Sequence, residues 1–136
     1  MVIAVDFDGT IVEHRYPEIG KEIPFATATL RQLIADGHEL ILWTVREGDL
    51  LQDAVDFCKK RGVTFFAVNR DFEEEDGSNS DFSRKIRADL FIDDRNVGGL
   101  LDWGTIYALI NNGKTLEEYL IDKGTLPKPK RWWWPF

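Results

Sequence analysis

Short apolar runs alternate along this chain with stretches whose apolar positions recur at helical spacing. The runs at residues 1–5, 38–43, 63–68 and 88–92 are rich in β-branched or large apolar side chains. The first of them has almost no polar position, which reads as a strand buried on both faces and therefore central in a parallel sheet. Between the first two runs, Phe25, Ala28, Leu30, Leu33 and Ile34 mark an apolar helix face, with Pro24 near its start and Asp36-Gly37 past its end. A second helix opens at Gly48 or Asp49 and carries Leu50, Leu51, Ala54, Val55 and Cys58 on one face; Lys59-Lys60-Arg61 fill its last turn before Gly62. Strand alternating with helix predicts an α/β fold with a parallel sheet. Two further helices are expected after it, over 103–110 and from Thr115, whose spacing to Glu118 is that of a capping box.

Polar chemistry gathers where the runs end. Asp6 and Asp8 follow the first run directly and share one side of an extended chain, and Gly9 permits a sharp departure. Asp93 and Asp94 end the fourth run in the same way. The C-terminal ends of parallel strands are where open α/β sheets bind ligands. Like charges brought together there call for a divalent cation. Asp-x-Asp-Gly is also ordinary turn chemistry, but turn chemistry alone does not explain a second acid pair at the end of another apolar run.

Composition narrows the classes. A chain of 136 residues suits one domain, and 43% hydrophobic with 30% charged residues is ordinary for a globular protein. No apolar run approaches the roughly 20 residues of a membrane span, and no secretory leader pattern precedes the first strand, so a cytoplasmic location is expected. One cysteine, Cys58, excludes an intramolecular disulfide. The net charge of −7 argues against broad nucleic-acid binding, which needs a cationic surface.

Asp6-Phe7-Asp8-Gly9-Thr10 resembles the first motif of the haloacid dehalogenase (HAD) superfamily, whose members are aspartate-nucleophile, magnesium-dependent phosphatases. The resemblance extends over about the first hundred residues: Thr44 at the end of the second strand matches the second motif, Lys85 (or its neighbour Arg84) the third, and Asp93-Asp94 the fourth. It implies a Rossmann-like, three-layer α/β/α sandwich. Neither the loop after Thr10 nor the polar stretch at 69–81 is long enough for an inserted cap domain, so the resemblance implies a capless member.

What the resemblance implies for the site is a phosphoric monoester hydrolase acting on a sugar phosphate or a nucleotide. Asp6 would be the nucleophile and Asp8 the general acid and base, with Thr44 and Lys85 holding the phosphoryl oxygens. Mg²⁺ would be held by Asp6, Asp8 through its backbone carbonyl, and Asp93, while Asp94 would position a water of that ion. Gly9, Thr10, His14, Arg46 and Asn69 are candidates for substrate contacts, with Tyr16 beside them. Two rival readings use the same acids: a non-enzymatic module that binds metal or a phospholigand, and a receiver-like phosphoacceptor domain. The hydrolase domain is expected over 1–122 and a Pro/Trp-rich tail over 123–136, where Trp132-Trp133-Trp134 would pack on the body or on a second subunit of a homo-oligomer.

Overall fold

In the computed structural model, whose described residues are 1–70 and 86–128, the first apolar run becomes β1 (Val2–Val5). It lies between β2 (Glu39–Leu42) and a strand from the fourth run, Leu90–Ile92, with Ala67–Val68 outside β2. In chain order the last two are β3 (Ala67–Val68) and β4 (Leu90–Ile92), so the sheet runs β3-β2-β1-β4, and every pairing is parallel. The expected α/β architecture with a central parallel sheet is therefore present. The central position of β1 accounts for its composition: Ile3, Ala4 and Val5 are all buried, and no side of the strand meets water. Val2 pairs with Glu39 and Val5 with Leu42, while Val5 faces Ile92 on the other side.

The chain builds outward from β1 through β2 to β3, then returns to the opposite side of β1 for β4. The strand order reverses between β1 and β4, and a crevice at that reversal is the usual ligand position in such sheets. The strands are shorter than their apolar runs. Residues 63–66 precede the ladder of β3, which among the described residues is an edge strand paired on one side.

The helix α1 (Ala26–Ala35) buries Ala26, Thr27, Thr29, Leu30 and Leu33. Phe25, expected on that face, stands before the first turn with φ 68° and is exposed. Ala28 is exposed too, and Thr27 takes a buried place, its hydroxyl donating to Glu22 Oε1 at 2.7 Å. In α2 (Gly48–Lys60), Ala54 and Cys58 are buried, and burial pushes the Cys58 thiol up to about 12. Phe57 meets Phe7 edge-on at 5.7 Å, tying this helix to the loop after β1.

Two compact units divide the chain, Met1–Trp103 and Gly104–Phe136. The sheet, α1 and α2 belong to the first. α3 (Trp103–Asn112) starts at the last residue of the first unit, and α4 (Leu116–Asp122) follows in the second. Thr115 caps α4 with the full capping box: its hydroxyl accepts from the Glu118 N–H at 3.2 Å and its own N–H donates to Glu118 Oε2 at 3.4 Å. Among the described residues no helix is long and apolar enough to cross a membrane. Arg84, Lys85 and most of the acidic stretch fall at 71–85, and the three tryptophans at 129–136; these expectations lie outside the described residues.

Candidate functional site

Asp6 leaves β1 with its N–H donating to Ile92 O at 3.0 Å, so the ends of β1 and β4 stay side by side as each delivers its acids. Thr10 joins them. Its buried hydroxyl lies 3.2 Å from Asp6 Oδ2 and 3.3 Å from Asp94 Oδ1, with one hydrogen to donate between them, and it accepts from the Asp94 N–H at 3.0 Å. Gly9 makes room for this. Its φ is +85°, and a Cβ there would stand 2.3 Å from Asp94 Oδ2. The Trp103 indole N–H donates to Thr10 O at 3.1 Å, holding the turn from behind. Gly9 and Thr10, candidates for substrate contact, thus act within the protein to bring Asp94 against Asp6.

The product of this packing is a cluster in which Asp6, Asp93 and Asp94 each offer a carboxylate oxygen, all within 4.8 Å of one another. None of the three is in an ion pair among the described residues. The Asp6 carboxyl is pushed up to about 7, first by burial, then by the charge of Asp93 and by its hydrogen bond with Asp94; the Phe7 backbone and the Thr10 hydroxyl oppose the rise. A set of hard carboxylate oxygens with no ion-pair partner among the described residues suits a hard divalent cation such as Mg²⁺.

Asp8 is turned elsewhere. Both its oxygens accept from Arg46, Nε to Oδ2 and Nη2 to Oδ1, each at 2.7 Å, in a buried fork-on-carboxylate pair. The same guanidinium donates to Pro17 O at 3.1 Å, Glu18 O at 2.9 Å and Leu50 O at 3.4 Å. That uses all five of its N–H groups. Its plane also lies 5.2 Å from the Phe7 and Tyr16 ring centroids. Arg46, offered by the sequence as a phosphate contact, instead anchors the flap after β1, and Asp8, offered as a metal ligand through its backbone carbonyl, keeps its side chain outside the acid cluster. The flap is a hairpin in which Ile23 N donates to Ile11 O at 2.8 Å and Glu13 N to Lys21 O at 2.7 Å, so residues 14–20 are held over the strand ends.

A cleft of about 380 Å³ opens in front of these groups, lined by Asp6, Asp8, His14, Tyr16, Trp43, Thr44, Val45, Asp93 and Arg95. Thr44 presents a hydroxyl there whose oxygen accepts from the Arg46 N–H at 3.2 Å, leaving its hydrogen to donate. Asn69, a substrate candidate, supports this turn from below: its Oδ1 accepts from the Thr44 N–H at 2.8 Å, from a backbone with φ 55°. His14 lines the cleft as an exposed side chain. Trp43, Val45 and Arg95 are members of the lining that the motifs did not name. Each is one position from a motif residue, which is the signal that could have found them.

No family model matches this chain, and no curated protein does. Among solved structures it is similar to a conserved protein from Bacteroides thetaiotaomicron, at 59% identity and a TM-score of 0.81, over 88% of this chain and 96% of that one.

Proposed function

This chain belongs to the same family as that Bacteroides thetaiotaomicron protein, and from its own site we propose that it is a HAD-type, magnesium-dependent phosphatase hydrolysing a phosphomonoester, a sugar phosphate or a nucleotide. The observation that carries the reading is the convergence of Asp6, Asp93 and Asp94 at the strand reversal, with the Thr44 hydroxyl lining the same cleft. The reading includes a HAD-like three-layer α/β/α architecture without a cap, and a soluble, cytoplasmic setting.

Asp6, Asp93 and Asp94 would hold Mg²⁺, which when bound supplies the positive charge that lets a carboxylate approach a phosphate. Asp6 attacks phosphorus in line with the departing oxygen, giving an aspartyl-phosphate that water then hydrolyses. Thr44 donates its free hydroxyl hydrogen to a phosphoryl oxygen. Lys85 supplies the fixed positive charge of the third motif. Asp8 protonates the leaving alcohol and later takes a proton from water; to do so it must exchange one of its two bonds to Arg46. Those same bonds favour a second reading, a phospholigand-binding or phosphoacceptor module, because they engage the acid that turnover needs.

Phosphate release from a panel of phosphomonoesters, with and without Mg²⁺, separates the two. Sustained release is expected from the wild type, with Asp6→Asn reducing it by at least about a thousandfold and Asp8→Asn also impairing it. No release from any ester, or at most one phosphate per chain, would overturn the enzymatic reading.

A further inference from the structure

Besides the acids, the cleft has lining that phosphoryl transfer does not require. Val45 is 79% exposed and Tyr16 46% exposed, and with Trp43 they give the cleft an apolar part of its lining. Trp43 is fixed there by packing against the cluster of Ala4, Ile41, Ala67 and Ile86, and Tyr16 by the Arg46 guanidinium 5.2 Å from its ring. Firmly held aromatic side chains with exposed area form a platform for a ring.

Arg95 lines the same cleft with a charge that nothing in the described protein uses. Its backbone N–H donates to Asp93 Oδ1 at 2.9 Å, which fixes the turn after β4. Its guanidinium is exposed and makes no hydrogen bond or ion pair among the described residues. Asp93 lies two positions away, yet the two side chains do not pair. Arg46 makes the contrast, since every one of its donors has a protein acceptor. A planar fork of donors and apolar area in one cleft match an anion carried on a ring.

We propose that the cleft takes a phosphate ester whose organic part is a ring bearing a second anionic group, the ring lying on Tyr16, Trp43 and Val45 and the second anion meeting Arg95. This rests on the phosphoester reading of the acid cluster and names the substrate class within it. A simple alkyl or unsubstituted sugar phosphate would leave both Arg95 and the apolar lining without a partner.

Benzylphosphonate tests the proposal without turnover, because it has no ester bond to hydrolyse. Its affinity, measured by calorimetry with Mg²⁺ present, is compared with those of its 3- and 4-carboxy and 4-phosphonomethyl derivatives; the last separates a second phosphate from a carboxylate as the anion. Wild type is expected to bind at least one derivative about tenfold more tightly than the parent, the effect of one charge-assisted fork. Arg95→Gln should bring that preference to within about twofold, and Val45→Ser should weaken every ligand of the set. Equal affinities across the set in the wild type, no binding of any member, or a preference that survives Arg95→Gln would overturn it. Phosphate release from the ester panel is read separately, so a protein that binds selectively and turns over no ester would refute the hydrolase and leave the selectivity standing.

Discussion

Gly9 is the residue on which the acid cluster depends most sharply. Its φ of +85° and the 2.3 Å approach of Asp94 Oδ2 to a would-be Cβ leave no room for a side chain, so Gly9→Ala must displace Asp94 from Asp6. The backbone strain alone costs about 1–2 kcal/mol. The substitution is expected to lower the melting temperature and to weaken Mg²⁺ binding by roughly tenfold or more, the usual effect of disturbing the groups that orient ligands; calorimetry reads the second. Asp6 gives a prediction in pH. Its folded value of about 7 lies above the ordinary 3.8, so the protonated form favours the folded state. That contribution is whole below about pH 4 and is lost as the pH rises to about 7. Without metal, the melting temperature should therefore fall across this window, and Asp6→Asn should flatten the fall. Mg²⁺ affinity should rise over the same window, because the ion needs the ionised carboxylate. At this scale the sequence was informative about which acids meet, since each pair directly follows an apolar run. The fate of Asp8 was not legible. Two-residue periodicity places it beside Asp6, but its partner comes from 38 positions away, and no local pattern announces a pairing of that range.

Among the elements, the flap between β1 and α1 is closed by its own backbone bonds and tied to the acid pair and to α2 by one side chain. Arg46 joins Asp8, the carbonyls of Pro17 and Glu18, and the start of α2. Arg46→Met removes these bonds and leaves Asp8 buried without its counter-ion. Breaking one side of a buried pair costs about 3–5 kcal/mol, and equilibrium denaturation should show a midpoint lowered by that amount divided by an unchanged slope. Hydrogen exchange should rise in residues 14–20 beyond the rest of the first unit. The helices and strands themselves followed from periodicity, because each presents one buried face or, in β1, two. Their edges did not. Phe25 belongs to the apolar pattern yet falls in a left-handed residue ahead of α1, and residues 63–66 are as apolar as a strand yet only Ala67 and Val68 pair. Periodicity marks which positions are apolar and does not encode where a helix takes its first turn or a ladder its first pair.

For the whole molecule, the strand order β3-β2-β1-β4 is what turns two separate acid pairs into one site. A fully apolar first strand announced a central position, and the rest of the order follows once the second and fourth runs both pair with it. If the acid cluster binds Mg²⁺ in the folded state alone, the ion should raise the melting temperature progressively with concentration, by about 2.7 kcal/mol of stability at a hundred times the dissociation constant, and Asp93→Asn should reduce the shift. The proposed role of Asp6 as nucleophile is tested most directly by acid-quenching the protein during incubation with a phosphomonoester and Mg²⁺ and locating phosphate on the chain. A hydroxylamine-labile phosphate is expected on the peptide that carries Asp6, absent from Asp6→Asn. Phosphate release with no labelled protein, or a label on any other residue, would contradict it.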